Sequence, residues 1–428
     1  MESWVDSEPS GFSLSNLPLG IFSTELLSPR IGVAIGKYVL DFKSFVMEGL
    51  LAHLNIDWSQ VDFATLNDYA ALGRSRHRTI RKFLQELLIS DTRYGSLLRD
   101  HPQRRQSLLV LRASATMHLP MRVGDYTDFF VGINHARNCN KLFRGDATLA
   151  ASYTEQPIGY HGRASSVVIS GTPVRRPVGQ FNLDGQVFFG PTRKMDFEVE
   201  FAAFISKPNT LGEPIGVEAA EEHIFGYVIL NDWSSRDIQQ REAFPLGPFN
   251  AKNFGTTISP WVIQPDALIP YKTKPISTGS ELPKYLVERS SNSVHDIVVD
   301  VTIKRGSQDF QLSKCNFKNV IFSFPQMIAH HTAGGCPLQT GDLIATGTVS
   351  GETVDTLGCL LEITKNGMEP YQIFNNDTGS TLEMGWLHDG DCIEFHGYAG
   401  DSSDPEHISF GSCTGLILPS LVTSLEKL

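Results

Sequence analysis

The stretch "KMDFEVEFAAF", residues 194–204, sets Asp196, Glu198 and Glu200 at every second position, with Phe197, Val199 and Phe201 between them. In a β-strand successive side chains point to opposite faces, so the three carboxylates would share one face and the aromatic and aliphatic residues the other. Such a row is either an ordinary half-buried strand wetting its polar side or half of a metal site that needs further ligands. A second acid-bearing stretch begins with an apolar run at 224–230, which reads as a buried strand ending on Asn231 and Asp232. Ser234 or Ser235 can then cap a helix in which Arg236 and Gln239, three residues apart, share a face. Lys252 follows in a loop rich in Gly and Phe. Taken alone, Asp232 would read as a cap or a solvated turn. A third stretch, "GDYTDFFVGINHARNCNKLFRG", holds Asp125, Asp128, His135 and Arg144. There His135 is either a structural histidine or a catalyst placed between a carboxylate and an arginine.

Asp128, Glu198, Glu200 and Asp232 make a full anionic set with no pair of Cys or His nearby. Hard oxygen ligands of this kind suit Ca²⁺, Mg²⁺ or Mn²⁺ and argue against zinc. Without a cation the set would repel itself and some members would be forced to protonate. A bound metal removes that cost and can act as a Lewis acid on a carbonyl.

The elements that must position these residues belong to a globular chain of 428 residues, 41% hydrophobic and 19% charged, long enough for two or three domains. Its formal net charge of −11 disfavours nucleic acid or an anionic membrane as principal partner. No apolar run approaches the ~20 residues of a membrane span. The polar N-terminal "MESWVDSEPSGFS" lacks the apolar segment of a secretory signal, so cytoplasmic residence is expected. The six cysteines are scattered without a C-x-x-C pair and read as buried thiols. Up to residue 118 the sequence suggests a hairpin in "RIGVAIGKYVLDF" and helices near 65–72 and 76–90, with the basic face of "RSRHRTIRK" solvated. From 119 onward, many short β-rich runs punctuated by Gly and Pro imply a sandwich, barrel or rolled sheet. The segment 265–285 reads as a surface excursion within it.

The segments "SATMHLP", "GDYTDF", "GYHGRASS", "SGTP", "NDWSSRDIQQ", "PLGPF", "FGTTISPW" and "GTVSG", in this order over nearly the whole chain, resemble the fumarylacetoacetase (fumarylacetoacetate hydrolase) family. The resemblance implies a mainly β protein with some α: a small SH3-like N-terminal domain with helical additions, 1–118, and a larger β-roll catalytic domain, 119–428. It also implies a homodimeric, cytoplasmic hydrolase of tyrosine and phenylalanine breakdown that splits a C–C bond of a small diketo acid. By the same resemblance, Asp128, Glu198, Glu200 and Asp232 are expected Ca²⁺ ligands, and Asp232, Lys252 and Thr256 the positions for Mg²⁺. His135 would be the general base, held by Glu362. Arg236, Gln239 and Lys252 would stabilise the alkoxide, and Arg144, Tyr160, Gln239 and Thr348 would hold substrate. Phe130 and Ala243 stand where substrate-contacting tyrosines are expected. Asp196 receives no role and reads as the solvated end of its row, while His161, His330 and His331 are taken as structural. Two other readings share the carboxylates: a metal-dependent decarboxylase or isomerase of oxo acids, and a non-catalytic Ca²⁺-stabilised β protein. Neither has the same need of His135 and Glu362 together.

Overall fold

A computed structural model describes residues 2–5, 10–375 and 378–428; part of the acidic N-terminal stretch, 6–9, lies outside the described residues. The N-terminal segment forms an antiparallel sheet of β1 (Leu19–Ser23), β2 (Arg30–Ile35), β3 (Tyr38–Asp41), β4 (Leu109–Leu111) and β5 (Thr116–His118) in the order β4-β3-β2-β1-β5. The expected hairpin is β2–β3, with Ile35 opposite Tyr38 and the turn made by Gly36 at φ 55° and Lys37. The helix α1 (Arg74–Leu88) covers this sheet, preceded by a short helix at Asn67–Ala71.

The basic face of α1 is solvated only in part, with Arg76, Arg78 and Lys82 exposed as expected. Arg74, His77 and Arg81 are buried, and the physical reason is docking onto other chain segments rather than water. Arg74 pairs with Glu221 at 3.2 Å, Arg78 with Asp266 at 2.8 Å, and Arg81 donates to the carbonyls of Ser15 and Asn16.

The second segment is built on β6 (Tyr126–Phe129), α2 (Ile133–Arg144), β7 (Gly159–Gly162), β8 (Val167–Ile169), β9 (Val174–Arg175), β10 (Val199–Ile205) and β11 (Ile224–Asp232). It continues through α3 (Arg236–Glu242), β12 (Thr256–Ile258), β13 (Val298–Arg305), β14 (Gln308–Asn316), β15 (Leu343–Ala345), α4 (Leu360–Ile363), β16 (Cys392–Ala399) and β17 (Ile408–Leu418). Seven strands pair in the order β7-β6-β15-β10-β11-β12-β8, and a second sheet runs β14-β13-β16-β17-β9. The result is mainly β with some helix, and the segment 265–285 contributes only short pieces, including a two-stranded pairing of Lys272–Thr273 with Val294–His295.

Both faces of β10 and β11 are buried, which is why their sequences read as nearly continuous apolar runs. Phe197, Val199 and Phe201 point into the core shared with the second sheet, as their alternation requires. Phe201 stacks on Tyr227 and Phe317 at 5.0 Å each and meets Phe410 of β17 edge-on. On the opposite face Tyr126, Ala202, Phe204, Val228, Leu230 and Ile258 pack into one core with N-terminal residues such as Leu19, Ile21 and Ile80. By the two-residue period, Asp128, Glu200, Asp232 and Thr256 end these same rows. The N-terminal segment therefore covers the apolar continuation of the face that carries the acids.

His77 sits in this junction, stacked on Tyr69 at 5.0 Å with Nε2 2.8 Å from the Tyr69 carbonyl oxygen. Burial pushes its pKa down to about 4. The folded protein thus keeps His77 neutral while the unfolded chain protonates near 6.5, so its stabilising contribution is complete above pH 6.5 and drains away as pH falls toward 4. The window of about 2.5 units corresponds to roughly 3 kcal/mol. Urea unfolding of a His77→Gln variant should show a correspondingly flatter loss of stability between pH 6.5 and 4; parallel curves would contradict this.

Candidate active site

The strand topology gathers the site at one end of the seven-stranded sheet. Asp128 lies opposite Tyr160 across β6–β7, and Asp232 opposite Thr256 across β11–β12, while Glu200 enters from the antiparallel β10. Asp128, Glu198, Glu200 and Asp232 each offer an oxygen within 4.8 Å of the others, and all four are buried. The row "KMDFEVEFAAF" is not one continuous strand: Met195–Asp196 pairs with Ser234–Ser235, residues 197–198 leave the ladder, and β10 starts at Val199. This break lets Glu198 turn toward the cations of α3 and the following loop.

Two buried cations meet these acids. The Arg236 guanidinium donates from Nε to Asp196 at 2.7 Å and from Nη1 to Glu198 at 2.6 Å and to the Gln239 side-chain oxygen at 3.0 Å. The Lys252 ammonium donates to Glu198 and, at 2.7 Å, to Asp232. Asp232 also accepts from the hydroxyls of Thr256 at 3.0 Å and Tyr160 at 3.3 Å. Burial raises the pKa of Glu198, yet Lys252 and Arg236 outweigh it and hold the carboxyl well below its usual range. A charged ammonium has no lone pair to give a metal, so Lys252 in this state neutralises carboxylates rather than ligating.

Neither Asp128 nor Glu200 is paired with a cation, although the Tyr160 hydroxyl also reaches Asp128. Both Glu200 oxygens and Asp128 Oδ1 are buried without a hydrogen bond, and burial followed by repulsion from neighbouring carboxylates pushes both groups well above the carboxylate range. Orphaned buried oxygens converging with two compensated carboxylates fit a hard divalent cation, which would supply the missing charge and coordination.

Asp196 corrects the sequence reading. It is fully buried, and besides Arg236 it accepts the backbone N–H groups of Leu360 and Leu361 at 2.7 and 3.0 Å. It thereby ties Arg236 to α4, the helix that carries Glu362. Ser235 occupies the N-cap position of α3, but its hydroxyl is buried and makes no capping bond, and Ser234 donates to the Asp232 carbonyl instead.

His135 Nδ1 lies 2.6 Å from Glu362 Oε2, with both side chains buried. Glu362 is fixed further by Asn138 and Ser350, each donating at 2.7 Å. Asn138 shares the face of His135 at three residues' spacing, a signal the sequence did carry; Ser350 comes from a distant loop and left none. Two thiols also border the dyad, Cys139 and Cys359. Burial disfavours the imidazolium, but the Cys139 and Glu362 side chains reverse that effect and raise the His135 pKa well above its ordinary value.

Phe130 packs edge-on against His135 at 5.5 Å and against Tyr153 at 5.8 Å. Thr348 is buried with its hydroxyl unpartnered, and so is Arg236 Nη2. Arg144 is exposed in the last turn of α2 and joins none of these contacts; Ala243 is half-buried at the C-terminal end of α3. His161, His330 and His331 line a cavity of about 280 Å³ together with Thr127 and Tyr160, and His331 Nε2 lies 2.8 Å from the Thr127 hydroxyl.

A buried carboxylate cluster that could hold a divalent cation lies beside a His–Glu pair, on a mixed sheet packed against a second sheet, an arrangement that suits a hydrolase. The chain belongs to the fumarylacetoacetase family: residues 15–120 match the family profile described as Fumarylacetoacetase N-terminal, and residues 128–415 that described as Fumarylacetoacetate (FAA) hydrolase C-terminal. It is 44% identical to the fumarylacetoacetase of Emericella nidulans over 99% of this chain and 100% of that one. With the fumarylacetoacetase of Bos taurus it shares 42% identity over 97% and 98%. Its fold is similar to that of a fumarylacetoacetate hydrolase from psychrophilic Exiguobacterium antarcticum, with a TM-score of 0.50, 15% identity and 94% and 99% of the two chains covered.

If Glu200 completes a cation site, calorimetry of Ca²⁺ binding to Glu200→Gln should show affinity at least tenfold weaker than wild type, about 1.4 kcal/mol. Unchanged affinity would remove Glu200 from the ligand set.

Proposed function

We propose that this protein hydrolyses the carbon–carbon bond of 4-fumarylacetoacetate, giving fumarate and acetoacetate, as the last step of tyrosine and phenylalanine breakdown. The observation that carries this reading is the coexistence, in a member of this family, of the His135–Glu362 pair with orphaned carboxylate oxygens at Asp128 and Glu200.

In this reading His135 takes a proton from water, and the Glu362 carboxylate fixes the imidazole's orientation and stabilises the imidazolium that forms. The hydroxide equivalent attacks the ketone carbon beside the bond that breaks. Arg236 keeps Nη2 free of protein partners, and Gln239, whose oxygen accepts from Arg236, presents its NH₂ as a donor. With Lys252 these groups stabilise the alkoxide; losing one such donor costs roughly 2.7–4 kcal/mol. The carboxylate pairs of Arg236 and Lys252 hold their charged groups in place before substrate arrives.

Asp128, Glu198, Glu200 and Asp232 would hold Ca²⁺, with the hydroxyl of Thr256 and the ammonium of Lys252 supporting Asp232; Mg²⁺ at Asp232 is the other cation this family suggests. When bound, such a cation polarises substrate oxygens and spreads the charge of the departing enolate. Tyr160, Thr348 and Arg144 hold the substrate's carbonyls and carboxylates, Arg144 by a shift of its exposed side chain. Phe130 and Ala243 bring no hydroxyl, so they shape the substrate pocket without anchoring it. We further assign the N-terminal sheet to an SH3-like supporting domain, 1–118, the rest to a β-roll catalytic domain, 119–428, and the working form to a cytoplasmic homodimer. Among the described residues no helix is long and apolar enough to cross a membrane.

Purified protein supplied with fumarylacetoacetate and a divalent cation should lose the diketone absorbance and accumulate fumarate; no turnover would refute the assignment. His135→Ala should retain Ca²⁺ binding and lose about 10²–10⁴-fold in kcat. Because the base works only when unprotonated and its pKa lies above 6.5, kcat/KM should fall as pH drops through that raised value. Glu362→Gln should move the acidic limb to lower pH; an unmoved limb would separate Glu362 from the base.

A further inference from the structure

The proposed mechanism uses His135 and Glu362 but leaves the two sulfurs beside them without a task. Cys139 is one turn after His135 on α2, so both side chains lie on the same helix face. Its Sγ stands 3.4 Å from His135 Nε2 and 3.8 Å from Nδ1. Cys359 approaches from the start of α4, fully buried, 3.9 Å from the same Nδ1 and 3.1 Å from Glu362 Oε2. Nδ1 and Oε2 are themselves 2.6 Å apart. The ligand-capable atoms of His135, Cys359 and Glu362 thus fall within 4.8 Å of one another, while Cys139 lies outside that group and touches the imidazole from the half-buried side.

From this geometry we infer a second metal site, made of His135, Cys139, Cys359 and Glu362, that takes a thiophilic divalent cation such as Zn²⁺ and shuts the base off. Tetrahedral zinc with bonds of about 2.3 Å to sulfur and 2.0 Å to nitrogen needs N···S edges of roughly 3.5–3.7 Å, close to the spacing of Nδ1 from the two sulfurs. The Nδ1···Oε2 and Sγ···Oε2 pairs of Glu362, at 2.6 and 3.1 Å, must open as their shared protons are displaced, and the half-buried Cys139 side chain must turn inward from its place beside the imidazole. Two thiolates, an imidazole and one carboxylate are a set for zinc or cadmium and a poor one for Ca²⁺ or Mg²⁺. The same cleft therefore sorts cations by softness, hard ions to the all-carboxylate cluster and soft ions to the dyad.

Binding balances simply. Each thiol gives its proton to solvent as its sulfur joins the metal, the imidazolium likewise releases to solvent the Nδ1 proton it shares with Glu362, and the neutral imidazole binds through Nδ1 with its remaining proton on Nε2. Burial and the neighbouring Glu362 raise the Cys359 thiol, so this deprotonation opposes binding and the metal–sulfur bonds must exceed it. Asn138 and Ser350 continue to hold Glu362. Occupancy does not depend on the proposed reaction. Inhibition does, because it rests on His135 acting as the base.

The probe is Cd²⁺, added to the intact protein in saturating Ca²⁺ so that the carboxylate cluster is filled, with the ultraviolet thiolate-to-cadmium charge-transfer band as readout. The band should saturate at one Cd²⁺ per chain, fall to about half its amplitude in Cys139→Ala, and require at least tenfold more Cd²⁺ in Cys359→Ser. The heat of Ca²⁺ binding, unchanged in both variants, verifies that they are folded. Turnover of fumarylacetoacetate should fall in step with the band and return on chelation followed by fresh Ca²⁺. No band, or a band that either variant leaves unaltered, would overturn the site. A full band with undiminished turnover would leave the site standing and refute His135 as the base.

Discussion

Everything at the catalytic end of this molecule follows from the burial of five carboxylates, Asp128, Asp196, Glu198, Glu200 and Asp232, around only two cations, Arg236 and Lys252. Buried charges are costly unless paired, and removing one partner of such a pair typically costs about 3–5 kcal/mol. The pairing here is uneven. Asp196, Glu198 and Asp232 are satisfied by Arg236 and Lys252, whereas Asp128 and Glu200 are left with bare oxygens. An arrangement that pairs three acids and leaves two with bare oxygens beside them suits a further positive charge.

The rest of the fold makes that arrangement possible. Phe197, Val199 and Phe201 lock one face of the strand into the inter-sheet core, while Ala202, Phe204, Val228 and Leu230 lock the other against the N-terminal segment. Acids at the ends of these rows inherit the rigidity of the sheet, as a preorganised site requires. Asp196 extends the same network to α4 through two backbone N–H groups, so the position of Glu362, and with it His135, is mechanically linked to Arg236. The carboxylate cluster, the Arg236 and Lys252 side chains and the His135–Glu362 pair are thereby members of one hydrogen-bonded unit.

Much of this was legible in the sequence, for identifiable reasons. Alternation at 196–201 and the apolar run into Asp232 have a period set by backbone geometry, so the strands and their buried faces could be read directly. The break at 197–198 left no local signal, and the joining of Glu198, Glu200 and Asp232 as one ligand set came from family resemblance. What the period cannot reveal is the environment of the polar face. Asp196 read as solvated because nothing local showed that Leu360 and Leu361, more than 160 residues away, would present their N–H groups to it. The same blindness hid the burial of Arg74, His77 and Arg81, whose helix periodicity was correct but whose partners come from distant segments. Cys139 and Cys359 were scattered thiols in sequence and neighbours of His135 only in space. The pairing of His135 with Glu362, separated by 227 residues, came from family resemblance and not from spacing.

The claim on which the account rests is that the unpaired oxygens of Asp128 and Glu200 form, with Glu198 and Asp232, a single cation site. Anomalous diffraction from crystals equilibrated with Mn²⁺ measures this directly, since manganese is a hard ion with a strong anomalous signal. The account predicts one dominant peak enclosed by Asp128, Glu198, Glu200 and Asp232, with both Glu200 and Asp128 within bonding distance. A crystal at saturating Mn²⁺ with no peak among those four residues would contradict it.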